Sequence, residues 1–236
     1  MKTKRAGTGR KTDARQRILE AAECLFAEHG FDSISIRDIT SACDANVAAI
    51  NYHFGGREKL VAEVMLRYIR PINEERLARL EVAQGRRPGK PVPLEELIDA
   101  FSRPLVSQVK KSPLSERLFH KLCARVFSEH IDALPDNVEA HFMPVIDRFS
   151  RAFEASLPDV PPDELIWRMH FMVGGMLHML SHQDMLQRMS HGRAGNPTIE
   201  TTLGRFIRFA AAGLREGSTN ETTDSTADSP QGFFQF

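Results

Sequence analysis

The sequence predicts an all-α protein: an N-terminal three-helix helix-turn-helix domain followed by a larger helical domain. Three observations carry this. Apolar residues recur at i, i+3, i+4 and i+7 in almost every segment, and no stretch alternates convincingly as a strand would. The breaks between periodic segments are short and hold Gly, Pro, Asn, Asp or Ser, which stop or cap helices. Near the N-terminus three helices follow one another through short connections, with the lengths of a helix-turn-helix unit.

Thr12 or Asp13 is expected to cap a first helix whose buried stripe is Ile18, Ala22, Leu25 and Phe26, and Gly30 to stop it. Ser33 or Ser35 caps a second helix through Ala42, with Ile36 and Ile39 inward and Asp38 in the first turn. Cys43–Ala45 is a tight connection. Asn46 caps a third helix, Val47–His53, which Gly55-Gly56 ends. A fourth starts at Arg57 with Val61, Val64, Met65 and Tyr68 on one face; Pro71 is expected to kink or end it, with helix continuing to about Ala83. After the connector "QGRRPGKPVP", helices are expected near Leu94–Lys110, Leu114–His130, Asn137–Ser156, Pro162–Met185 and Thr198–Arg215. The organisation that follows is a basic, disordered arm over 1–11, the helix-turn-helix domain over 12–56, a connecting helix over 57–70, the larger domain over 71–216 and an acidic, Ser/Thr-rich, disordered tail over 217–236.

Charge excludes a nucleic-acid binder by bulk, since 31 Lys and Arg balance 31 Asp and Glu. The distribution is uneven, however. Lys2, Lys4, Arg5, Arg10, Lys11, Arg15 and Arg17 face Asp13 alone at the start of the chain. Cys24, Cys43 and Cys123 are widely spaced, which argues against a disulfide framework or a zinc ribbon. No secretory pattern and no run of about 18 uncharged apolar residues occurs, so a cytoplasmic protein without a membrane partner is expected. No catalytic motif, phosphate loop or cofactor motif is present, so neither enzyme nor cofactor is expected. His178 and His182 have a metal-compatible i, i+4 spacing but lack a third ligand on their face, so no metal is expected.

The stretch "AAINYHFGGREKL" carries the functional signal. On a helical wheel Val47, Ile50 and Phe54 cluster inward, and Ala45, Ala48, Ala49 and Tyr52 cluster outward, with Asn51 and His53 flanking. Small residues let a helix sit deep in a major groove, where an alanine methyl meets a thymine methyl. Tyrosine and histidine can donate to phosphate oxygens, and the N-terminus of the next helix favours an anion. Double-stranded DNA is thus the expected partner. The expected contacts are Ser35 and Arg37 on the second helix, Asn46, Ala48, Ala49, Asn51, Tyr52 and His53 on the third, and Arg57 on the fourth. The basic arm would track the backbone.

The segment "RQRILEAAECLFAEHGFDSISIRDITSACDANVAAINYHFGGREKL" resembles the N-terminal domain of the TetR family of transcriptional repressors, without a gap over residues 15 to 60. The resemblance implies a phosphate contact at Arg57. It also implies that the chain from about residue 71 forms a ligand-binding and dimerisation domain. This sequence has Asn51 where the family usually has an aromatic.

In "DELIWRMHFMVGGMLHMLSHQDML" one stripe is Trp167, His170, Phe171, Gly174, His178 and Ser181, and a second is Met169, Met172, Val173, Met176 and Leu180. A helix apolar on two sides must be covered on two sides. The second stripe, with Leu203, Phe206, Ile207 and Ala210 of the last helix, is expected to form a homodimer interface. Trp167 and Phe171, with Phe119, Leu122, Cys123 and Phe127, are expected to line a pocket for a small hydrophobic effector. "NYHFG" and "WRMHFMVGG" together resemble the branch of the family that answers to long-chain fatty acids or their CoA esters.

Overall fold

The computed structural model describes residues 8–111, 114, 116–128 and 136–216. These residues contain helices and no strand: α1 (Thr8–His29), α2 (Ile36–Ala42), α3 (Val47–Phe54), α4 (Arg57–Gly85), α5 (Leu94–Lys111), α6 (Glu116–Ser128), α7 (Asp136–Ser156), α8 (Pro162–Ser181), α9 (Gln183–Met189) and α10 (Ile199–Arg215). The all-α class is as the sequence predicts.

Helix α1 begins about one turn earlier than expected, so residues 8–11 are helical. Residues 1–7 of the expected arm and the tail beyond Glu216 lie outside the described residues. The N–H of Gly30 closes the last turn of α1 on the Phe26 carbonyl at 3.0 Å. Ser35 and Asp38 form a capping box on α2: the Ser35 N–H donates to Asp38 Oδ2 at 2.8 Å, and Ser35 Oγ accepts from the Asp38 N–H. The Ser35 hydroxyl, which donates to Asp38 Oδ2 at 2.6 Å, and the Ser35 N–H hold the Asp38 carboxyl below its ordinary pKa. Asp44 turns the chain between α2 and α3 with φ of 50°. Aspartate visits this left-handed region more readily than most residues. Asn46 Oδ1 then accepts from the Ala49 N–H at 2.7 Å and starts α3.

Helix α4 runs unbroken through Pro71 for 29 residues. Proline keeps a helical φ and removes one N–H, so the helix forgoes a single hydrogen bond, and packing on both sides outweighs it. Its buried stripe, Met65, Tyr68, Ile69, Ile72, Leu80 and Ala83, packs against α5 and α7. Helix α6 packs on α1 and α8, and α10 packs on α5 and α8. The helix expected over Pro162–Met185 divides at His182, whose φ of −123° is not helical, and α9 is separate.

Arginines on α4 and α6 help join the helix-turn-helix unit to the rest. Arg125 of α6 donates to the carbonyls of Ala27 and Glu28 at 3.3 and 3.2 Å, so a cation caps the C-terminal end of α1. Arg67 of α4 stands 3.1 Å from Glu23 of α1, which is 1% exposed. The pair meets as charges, not as a well-directed hydrogen bond. Burial raises the Glu23 pKa, with Arg67 and the Tyr68 hydroxyl pulling the other way. A carboxyl whose folded pKa lies above its unfolded value binds its proton more tightly when folded. Its contribution to stability is complete below the unfolded value and is lost as pH rises through the raised one. Glu23→Gln should therefore gain stability on the parent chain as pH rises from the carboxylate range toward neutrality. Urea midpoints at a series of pH values check this, and a constant difference would refute it.

Candidate nucleic-acid interface

Helix α3 is held from below by Ile50 and Phe54, 0% and 6% exposed. Both lie in the core with Phe26, Phe31 and Ile39. Apolar contact at both residues fixes the rotation of the helix, and the opposite side is thereby turned out. Ala48, Asn51 and Tyr52 are exposed there, Tyr52 at 69%, while Ala49 is half buried. The half-buried His53 ring meets Tyr52 edge-on with centroids 5.0 Å apart. Val47, expected inward, is 43% exposed, and Asn51, expected near the inward edge, faces solvent. The helix is rotated toward Ile50 and Phe54, because two large side chains outweigh one valine in the first turn. Ser35, Arg37 and Asn46 are exposed; the Ser35 and Asn46 oxygens are engaged as caps.

Gly55 ends α3 in the left-handed region, φ 77° and ψ 16°, and its N–H returns to the Asn51 carbonyl at 2.9 Å. Gly56 follows at φ 125° and leads directly into α4. These conformations strain any residue with a Cβ, which is why two glycines stand together. A Cβ on Gly55 would also lie 3.2 Å from Lys59 Cδ.

Arg57 corrects a sequence expectation. Its Nε donates to the Ile34 carbonyl at 2.9 Å, and its Nη2 donates to the Phe31 carbonyl. The side chain turns inward and ties α4 to the α1–α2 loop, so two of its three nitrogens are unavailable to a phosphate. The cation left over the α3–α4 turn is Lys59, exposed beside Gly55. The sequence offered no local sign of this exchange, since both are basic residues in one helical turn. Behind the turn an open cleft of about 1050 Å³ runs between Arg15, His53, Lys59, Arg67 and Arg70, with Glu58 and Glu63 on its walls. Those carboxylates make it a poor trough for phosphates.

The two faces of α8 are the reverse of those expected. Met172, Met176 and Leu180 are 5%, 1% and 4% exposed and face the core of their own chain, with Met169 and Val173 packed against its edge. On α10, Leu203, Phe206 and Ala210 are likewise buried and Ile207 is half buried. The outer face holds Ile166, Trp167, Phe171 and Phe209, exposed at 68%, 60%, 67% and 77%. Trp167 and Phe171 therefore line no interior pocket. Phe119, Leu122 and Cys123 are buried, with the Phe119 ring edge-on to Tyr68 at 5.6 Å. The side chain of Phe127 lies outside the described residues. The His178 and His182 rings stack at 4.4 Å, and no cluster of three metal-ligating side chains occurs among the described residues. No described helix is long and apolar enough to cross a membrane.

Comparison with known proteins accords with this architecture. Residues 18–64 match the family model of bacterial regulatory proteins of the tetR family, and residues 99–213 match that of the tetracyclin repressor-like C-terminal domain. Together the two cover more than half of the chain. The chain belongs to the TetR family.

The first match runs from within α1 into the start of α4, and the second from α5 to α10. Members of the TetR family are DNA-binding transcription factors, and residues 18–64 of this chain are the family's helix-turn-helix DNA-binding domain. Among similar proteins, the HTH-type transcriptional regulator AcrR of Shigella flexneri is 30% identical over 111 residues, 46% of this chain and 49% of that protein. The HTH-type transcriptional repressor AcnR of Corynebacterium efficiens is 44% identical over 54 residues, 22% of this chain and 29% of that protein. This TetR-family chain thus spans about half the length of the first relative and under a third of the second. The fold resembles that of the fatty acid degradation regulator FadR from Bacillus halodurans, with TM-score 0.59 and 11% identity over 90% of this chain and 99% of that one. It also resembles HlyIIR, a hemolysin II transcriptional regulator, with TM-score 0.55 and 17% identity over 84% of this chain and 97% of that one.

Proposed function

We propose that this TetR-family protein is a ligand-responsive repressor that binds a palindromic operator as a homodimer and is released by a small apolar effector. The observation that carries the reading is the outer face of α3: Ala48, Asn51 and Tyr52 project from a helix capped at both ends and held by Ile50 and Phe54. Two such helices enter successive major grooves about 34 Å apart or somewhat more. The alanines allow close approach and Tyr52 and His53 donate to phosphates. Asn51 can pair bidentately with adenine and is the position that sets operator choice. Arg37 and Lys59 supply cationic contacts at the flanks, Lys59 in the role the sequence suggests for Arg57.

The exposed aromatics of α8 and α10 support dimerisation through Trp167, Phe171 and Phe209, since an apolar face of this size is costly to leave in water. The effector acts on the larger domain and reaches the DNA head through α4 and through Arg125 at the end of α1. It releases DNA only to the extent that it prefers the released state. A long-chain fatty acid or its CoA ester is the effector we favour. The motifs "NYHFG" and "WRMHFMVGG" support it, and so does the fold shared with a fatty acid degradation regulator.

Selection from random oligonucleotides should yield a palindrome, and fluorescence anisotropy on it tests the face. Tyr52→Ala should weaken binding about 10- to 100-fold, in the range expected for removing a hydrogen bond to a charged phosphate oxygen. Lys59→Ala should lower the slope of log K against log salt by about 0.9 for each phosphate no longer neutralised. Unchanged affinity in the first variant, or an unchanged slope in the second, would remove that residue from the interface. Recovery of no preferred sequence would overturn the operator reading itself.

A further inference from the structure

Arg76, midway along α4, is 2% exposed. Its Nε donates to the Phe101 carbonyl at 2.8 Å, its Nη1 donates to Asn73 Oδ1 at 3.1 Å, and its plane lies 4.0 Å over the Phe101 ring. Asn73 is fixed in turn, its amide donating to the His141 carbonyl at 2.8 Å. Helices α4, α5 and α7 thus hold the guanidinium on two edges and one face. The third edge, Nη2, is buried and has no hydrogen-bond partner among the described residues. Nor does a described carboxylate pair with the group; the ionisable neighbour that acts on it is the Cys123 thiol. One residue beyond the Phe101 carbonyl, the Ser102 hydroxyl is 1% exposed and likewise unpartnered among the described residues.

A cation without a counter-ion is among the least favourable things to bury. Burial draws the Arg76 pKa down to about 9, which leaves it charged at neutral pH. A structural tie to a carbonyl and an amide oxygen does not need a charge, because a neutral amide could serve both acceptors. What a locked guanidinium with one edge unpaired among the described residues suits is an anionic oxygen arriving from outside the chain. The surroundings suit the rest of such a molecule: Phe119 and Leu122 of α6 and Phe149 and Phe153 of α7 are buried, with Phe149 edge-on to Phe101 at 5.3 Å.

We infer that Arg76 is the anchor of the effector site, receiving the carboxylate of an amphipathic acid on Nη2 while the apolar body of that acid packs among the helices α4 to α7. The Ser102 hydroxyl is available as a second donor. This deepens the ligand-responsive reading above and rests on it. The two can fail separately.

The test is calorimetry on the full chain with myristate and with myristyl alcohol, both below their aggregation limits, alongside operator release. The parent chain should bind the acid at least tenfold more tightly than the alcohol. Arg76→Met should weaken acid binding at least tenfold and leave alcohol binding within about threefold, while Arg76→Lys should keep part of the preference. Equal binding of acid and alcohol by the parent chain overturns the anchor without needing any variant to fold. So does a folded Arg76→Met chain that still prefers the acid. In both cases operator release by either compound would leave the effector reading standing. If neither compound binds, the anchor is overturned. Release by other neutral apolar compounds then preserves the ligand-responsive reading, and release by none removes it as well.

Discussion

Phe209→Glu is expected to make the chain monomeric at micromolar concentration and to weaken operator binding by about 10²- to 10⁴-fold, the advantage that a second linked contact confers. Phe209 is 77% exposed on α10 beside Phe171 of α8, and the two border an apolar groove of about 220 Å³ with Phe206, Ala210 and Gly213. Under two-fold symmetry each substitution acts twice. Each aromatic removed forgoes about 1.5–3 kcal/mol of burial, and each carboxylate would have to be desolvated in the middle of the interface. Trp167→Glu should act in the same direction.

The contrast that makes this decisive is Met176→Ala. Met176 is 1% exposed in the core of its own chain. Its truncation should cost about 2–5 kcal/mol of fold stability and leave a chain that still dimerises wherever it remains folded. Light scattering separates the two effects. A Phe209→Glu chain that stays dimeric would move the interface off α8 and α10.

Arg57→Ala is expected to destabilise the chain by about 2–3 kcal/mol, lowering Tm by about 4–12 °C, with no change in the salt slope of whatever DNA binding survives. The guanidinium joins two carbonyls of the α1–α2 loop, those of Phe31 and Ile34, whose side chains are 0% and 7% exposed. Without it the start of α4 loses its hold on that loop, and α2 and α3 lose their common footing. Arg57→Lys should rescue little, because a single ammonium cannot span two carbonyls as a planar fork does. A phosphate contact would behave otherwise: stability unchanged, salt slope reduced, and Lys a fair substitute. Thermal denaturation and salt-dependent anisotropy on the same variants distinguish the roles.

Local chemistry made much of the first domain legible. The caps Ser35 and Asn46, the stop at Gly30 and the glycine pair at 55–56 depend on neighbours within a few residues, so their function is written where they stand. Residues that act at long range were not legible in this way. Arg57 and Lys59 are chemically alike in sequence, and only the position of the α1–α2 loop, more than twenty residues away, separates a clamp from an exposed cation. Arg76 did leave a sign. It falls on the buried stripe of α4, four residues after Ile72 and four before Leu80, where a cation has no ordinary place. Periodicity marks the position as inward but does not say what the charge meets there.

Helix α8 marks where periodicity ends as a source of information. Its sequence determined that two faces are apolar and that both must be covered. Which one meets its own chain was decided by the tertiary structure, because a helical wheel has angles but no origin. The origin is set by whatever α6 and α10 leave open, and they accept Met172, Met176 and Leu180 while Trp167 and Phe171 stay outside. The sequence alone thus determined the helical class, the helix-turn-helix and the Asn46 and Gly55 ends of α3. The packing of distant helices decided the inward turn of Arg57, the outward aromatics and the buried charge of Arg76, since each depends on neighbours that only the folded chain brings together.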